Sequence, residues 1–171
     1  VAFLDISTGE FLTAQGNTEY IDKLLSSFQP KEVLFQRGRS QEFQEIFGTK
    51  YYTYNLEDWV YTEDAAFDRL TRHFQVKSLK GFGIHELPLG IIAAGAILHY
   101  LDLTQHRQIQ HISQISRIEE EHYVWLDRFT IRNLELFSSI HEGAKTLLSV
   151  IDRTISPMGS RMLRRWMAFG L

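Results

Sequence analysis

The apolar residues change their spacing several times along the 171-residue chain, and each change marks an element. Residues 1–6 and 10–14 are two short β-rich runs joined by Ser7, Thr8 and Gly9. That is a hairpin signal, with Gly9 free to take a positive φ. Asn17 then opens a helical period in which Ile21, Leu24, Leu25 and Phe28 fall at i, i+3, i+4 and i+7, and Pro30 closes it. Residues 31–36 read as a strand, Ser40 as the cap of a helix carrying Phe43, Ile46 and Phe47, and the aromatic run 51–54 as another strand. Thr62 opens a further helix with Phe67, Leu70 and Phe74 on one face, ending before the turn at Gly81, Phe82 and Gly83. A hairpin followed by alternating strands and helices predicts an α/β layer sandwich with a mixed sheet.

Pro88 suits the first position of a helix over residues 89–101, which are apolar on nearly every side. Its 13 residues fall short of the roughly 20 that span a bilayer, so it reads as a buried helix over the sheet and not as a membrane element. Residues 102–122 are polar, but Ile109, Ile112, Ile115 and Ile118 recur every third position, which predicts a connector packed along one side. In residues 123–137 a period-2 run containing Tyr123 and Trp125 gives way to a helix capped by Asp127. Architecture changes here, with the boundary itself, a hinge candidate, in the polar stretch before it.

Beyond that point Thr146, Leu147, Leu148, Val150 and Ile151 predict a short apolar helix, and Ser156 caps a second with Pro157 at its first position. On the second helix Met158, Met162, Leu163, Trp166 and Met167 share one half of the wheel, opposite Arg161, Arg164 and Arg165. Such a stripe is expected to be core, with the arginines facing solvent.

Composition adds limits. With 44% hydrophobic and 13% aromatic residues the chain has the material for a core, which excludes disorder as the default. The absence of cysteine excludes disulfides, thiolate metal sites and a cysteine nucleophile. The chain opens in an apolar run without Met, a basic region or a small-residue cleavage site, as expected of a piece of a longer protein without a visible signal peptide. The net charge of -3 hides an asymmetry: residues 1–144 hold 13 Lys and Arg against 20 Asp and Glu, and residues 145–171 hold five Arg and Lys against Asp152 alone. A basic tail can meet phosphate, but without a base-reading motif it reads first as a solvated helix face.

Catalytic patterns are sparse. His106 and His111 are five apart, without the i, i+4 spacing or the further ligands that zinc prefers. There is no glycine-rich dinucleotide turn, no nucleophile elbow, and Gly48, Thr49 and Lys50 lack the order of a phosphate loop. One acid stands out. Asp5 lies on the first strand, where a ribonuclease-H-type nuclease would hold divalent metal, provided that carboxylates such as Glu19, Asp22, Glu57 or Asp58 converge on it. The alternative is an Asp that orders the hairpin turn.

LDRFTIRNLELF (residues 126–137), followed by LLSVIDRTISPMGSRMLRRWM (residues 147–167), resembles the MutS family of DNA mismatch repair proteins at the entry to their helical core. The resemblance rests on Asp127, Thr130, Asn133, Leu134 and Glu135, then on Asp152, Thr154, Pro157, Met158, Gly159, Arg161, Leu163 and Trp166. DISTGEF (residues 5–11) and HYLDLTQ (residues 99–105) extend it upstream to the family's connector domain, so it covers essentially the whole chain.

The resemblance implies a ribonuclease-H-like α/β connector over residues 1–108. Residues 109–171 would be a linker and the first, all-α part of the core from which lever helices rise. It implies a non-catalytic fragment that couples the DNA-binding and ATPase regions of a cytoplasmic, DNA-associated protein and docks a MutL-type partner. Mismatched duplex DNA, ATP with Mg²⁺, and homodimer formation belong by the resemblance to the complete protein. The Phe-x-Glu mismatch reader, clamp and phosphate loop are missing here. Asp127 is expected as a helix cap, Asn133 and Glu135 as polar anchors with Thr130 beside them, and Pro157 and Gly159 as helix-start and close-packing positions before Trp166. Arg161 would hold an acidic partner, remain solvated or contact phosphate.

Overall fold

The computed structural model describes residues 1–105, 109–118, 124–126, 128–139, 141 and 143–170. The chain forms two compact units: Val1–Asp22 with Pro30–Ile118, and Lys23–Gln29 with Glu119–Leu171. Asp127, His106 and Tyr123 lie outside the described residues.

In the first unit, strands β1 (Ala2–Asp5) and β2 (Glu10–Thr13) form the expected antiparallel hairpin, with Phe3 opposite Leu12 and Asp5 opposite Glu10. Gly9 takes φ +76° in the turn, a conformation that costs a residue with a Cβ far more. Helix α1 (Thr18–Phe28), whose residues from Lys23 onward are counted with the second unit, starts under Asn17, whose Oδ1 accepts the Tyr20 N–H at 2.9 Å. Strand β3 (Val33–Gln36), helix α2 (Ser40–Phe47) and strand β4 (Thr53–Leu56) follow, then helix α3 (Glu63–Phe74) and helix α4 (Pro88–Leu103). Capping at one of these starts differs from expectation, since Ser40 is already inside α2. Thr62 opens α3 as expected, at its N-cap position, with its hydroxyl donating to the Trp59 carbonyl at 3.0 Å.

The sheet is mixed but divided. Strand β5 (Ser116–Arg117) pairs parallel with β2, giving the order β1-β2-β5, while β3 and β4 form a separate parallel pair. β2 is therefore a central strand, and Phe11, Leu12 and Thr13 are buried on both of its faces. The buried polar group among them is satisfied, because the Thr13 hydroxyl donates to the Val1 carbonyl at 3.0 Å.

Helix α4 explains its own unpatterned sequence. Ala94, Leu98 and Leu101 join Phe11, Leu70, Leu79, Ile84, Ile112 and Ile115 in the larger core cluster. Ala96, with Tyr100 beside it, joins Leu56 and Val60 in a second cluster next to Leu34 of β3. A helix packed toward two clusters needs apolar residues around most of its circumference. Two glycines let neighbours come close: a Cβ on Gly90 would lie 2.6 Å from Thr13 Oγ1, and one on Gly95 would lie 2.6 Å from Ala66 Cα.

The polar stretch 102–122 is not a free connector along its described length. Asp102 and Leu103 end α4, Ile112 and Ile115 are buried in the first unit's core, and Ser116–Arg117 extend its sheet. Residues 109–118 thus pack with the first unit, although the sequence places them after its boundary. The isoleucine spacing already carried that one-sided packing.

The second unit is largely but not wholly helical. Strand β6 (Val124–Trp125) pairs antiparallel with β7 (Phe169–Gly170), a pairing that modifies the all-α expectation. Between them lie α5 (Arg128–Asn133), α6 (Leu147–Ile151) and α7 (Pro157–Ala168). Ser156 caps α7 by accepting the Gly159 N–H at 3.1 Å, as its sequence position predicts, while Thr146, expected within α6, caps it instead by accepting the Ser149 N–H at 3.1 Å. No helix among the described residues is long and apolar enough to cross a membrane.

Candidate functional site

Asp5 stands at the end of β1, where the hairpin turns. Asp5 Oδ1 accepts both the Ser7 N–H at 2.9 Å and the Ser7 hydroxyl at 2.6 Å, while the Asp5 carbonyl receives the Gly9 N–H at 2.9 Å. This is an Asx turn that holds the hairpin. Among the described residues, no three His, Asp or Glu side chains are arranged to hold a metal ion. Asp5 therefore has a turn-ordering geometry, and the nuclease alternative gains no support from its surroundings.

His111, read from sequence as an ordinary polar residue, closes over the same turn. Its Nε2 lies 2.6 Å from the Ile6 carbonyl, and a Cβ on Gly9 would meet the His111 carbonyl oxygen at 2.6 Å. The imidazole donates here, so the proton sits on Nε2. His73 makes a similar tie, with Nε2 2.8 Å from the Ile112 carbonyl. Two histidines thus pin the stretch 111–112, a role that no short motif announces.

Another polar group escaped the sequence reading. Trp59 packs edge-on to His99 at 5.0 Å between ring centres, with the Arg69 guanidinium 5.9 Å from the Trp59 ring and hydrogen-bonded to the Gly95 carbonyl at 3.5 Å. Burial pushes His99 below its ordinary value, helped by the nearby Arg69 charge and opposed by Asp102. The spacing i, i+3 from His99 to Asp102 was the one available signal.

The motif residues of the second unit form a series of joints. α5 ends in a Schellman turn: the Glu135 N–H donates to the Arg132 carbonyl at 3.0 Å, the Leu136 N–H to the Ile131 carbonyl at 3.2 Å, and Glu135 has φ +48°. The Glu135 carboxylate accepts the Ser139 hydroxyl at 2.6 Å, and its carbonyl accepts the Leu147 N–H at 3.0 Å. Thr130, within α5, is half-buried and its carbonyl accepts the Leu134 N–H at 2.9 Å, while Asn133 is exposed at the helix end. Asp127 lies outside the described residues.

Between α6 and α7 the organising group is Asp152. Its Oδ1 accepts the Thr154 N–H at 3.0 Å and the Thr154 hydroxyl at 2.6 Å, and its Oδ2 accepts the Ser160 hydroxyl at 2.5 Å. These bonds, the Ser160 hydroxyl foremost, hold its carboxyl below the ordinary range. Pro157 is the first residue of α7, and a Cβ on Gly159 would approach Thr154 Cβ to 3.1 Å. The hydroxyls of Thr154 and Ser160 do more here than the sequence reading assigned to them.

The α7 stripe departs from expectation. Met158, Met162 and Trp166 are exposed, Trp166 by 66%, whereas Arg164 is half-buried with its guanidinium 4.8 Å from the Phe137 ring. The planar cation can lie on an aromatic face and cover apolar surface with its stem, which is why the polar half of the wheel can turn inward. Burial pushes both Arg164 and Arg165 below the ordinary guanidinium value. Arg161 is exposed on the same helix.

Among the described residues the side chains form turn and packing contacts, and the sequence contains no phosphate loop with which to hold a nucleotide. What it shares with known proteins is the order of its parts. Residues 1–113 match MutS domain II, and residues 129–169 match MutS domain III. The chain is 60% identical over its full length to the DNA mismatch repair protein MutS of Flavobacterium johnsoniae, 60% to that of Bacteroides thetaiotaomicron and 56% to that of Cytophaga hutchinsonii. It spans about a fifth of the length of each of these relatives, which are covered to 20%. Domain II over residues 1–113 and domain III over residues 129–169, met in that order, make the chain a member of the MutS family of DNA mismatch repair proteins.

Proposed function

We propose that this chain is the connector and core-entry portion of a mismatch-recognition ATPase, and that it couples the DNA-binding and ATPase regions without performing either reaction. The observation that supports this most is the ordered match to domains II and III along one chain. The first unit serves as the connector, of ribonuclease-H-like type, and docks a MutL-type partner. Its suitability as a rigid coupling body comes from α4, which joins both core clusters and closes on α3 at Gly95.

In this reading the complete protein binds mismatched duplex DNA, acts as a homodimer and uses ATP with Mg²⁺. The residues of this chain do not fit the nucleotide, for want of a phosphate loop, so no step of ATP chemistry belongs to them. The motif residues act as joints: Glu135 and Asp152 fix the turns after α5 and α6, and Pro157 and Gly159 set the start of α7.

Two titrations test the proposal. The 171-residue chain is expected to bind an immobilised MutL-type partner in a manner altered by substitutions on the exposed faces of the first unit. Binding by the complete protein but not by this chain would overturn the docking role. Against duplex DNA the chain is expected to bind weakly and alike with and without a mispair. Tight binding that falls steeply with salt would instead make it a DNA-binding unit.

A further inference from the structure

We draw no further inference here: the strongest candidate, the open groove between the first turns of α3 and α4 lined by Glu63, Asp64, Phe67, Asp68, His85 and Pro88, is a cluster of carboxylates at helix N-termini with no second observation that points to a ligand.

Discussion

Gly95 of α4 faces Ala66 of α3 so closely that a Cβ on the glycine would lie 2.6 Å from both the Cα and the Cβ of the alanine. Ala66 is fully buried, and the atoms in the way include backbone, so a side chain at Gly95 cannot be accommodated by a rotamer change. Gly95→Ala therefore forces the two helices apart. Overpacking of this kind costs ~1–3 kcal/mol, while replacing a helical glycine returns roughly 0.5–1 kcal/mol. The net expectation is destabilisation by roughly 1 kcal/mol, within the range of about 0–2.5 kcal/mol that the difference between those two effects spans. Urea unfolding of the variant checks it, with Gly81→Ala, whose added Cβ would meet nothing within 4 Å, as the comparison. A Gly95 variant as stable as the Gly81 variant would show that the helices are not locked at this point.

Gly9 combines two constraints that act together. Its φ of +76° disfavours any residue with a Cβ, and that Cβ would also strike the His111 carbonyl oxygen at 2.6 Å. Gly9→Ala is thus expected to loosen the 109–118 segment from the hairpin as well as to strain the turn. Hydrogen exchange of the Ile112 and Ile118 amides, which donate to the Ile109 and Thr13 carbonyls, should speed up by tenfold or more if the segment loses about 1.4 kcal/mol of local stability. Unchanged protection would mean that the turn yields without disturbing His111.

These two glycines show where sequence is readable and where it is not. Gly9 lies between two β-rich runs, so its turn role follows from local pattern. Gly95 lies inside an apolar helix, and its partner Ala66 is 29 positions away, so no local spacing announces their contact. Helix α1 was legible because its periodicity and the Asn17 cap agree, α3 from its periodicity, and α4 from an unbroken apolar run that starts at Pro88. The pairing of β5 with β2 was not, since two residues carry too little pattern and their partner is about a hundred positions upstream. At the motif joints, family resemblance picked out Glu135 and Gly159, but the Ser139 and Ser160 hydroxyls that complete them depend on turns that spacing does not reveal. The inward Arg164 was missed because a wheel assigns every arginine to solvent and cannot see Phe137 beneath it.

Glu135 separates backbone from side-chain effects. Its φ of +48° favours glycine, whereas its carboxylate accepts the Ser139 hydroxyl at 2.6 Å. Glu135→Ala loses the hydrogen bond and keeps the strained backbone, at a cost of ~1–3 kcal/mol. Glu135→Gly loses the same bond but gains back roughly 1 kcal/mol from relief of the left-handed conformation. The glycine variant should thus unfold at the higher denaturant concentration of the two. The reverse order would mean that the left-handed conformation carries no penalty for a residue with a Cβ at this position.

Asp152 provides the corresponding test for the joint between α6 and α7. Its carboxylate accepts the Ser160 hydroxyl at 2.5 Å across the start of α7 and the Thr154 hydroxyl at 2.6 Å within the turn. Because its folded pKa is depressed, its contribution is present above the ordinary carboxylate value of 3.8 and is lost as pH falls through the lowered one. Asp152→Asn should blunt that acid-side loss, since the amide cannot titrate and has a single oxygen to share between the two hydroxyls. A double-mutant cycle of Asp152→Ala with Ser160→Ala, read by hydrogen exchange at the Ser160 amide that donates to the Ser156 carbonyl, measures whether the two act as one unit. Coupling is expected, with the second substitution doing little once the first is made. Additive effects would mean that Ser156 and Pro157 start α7 without help from Asp152.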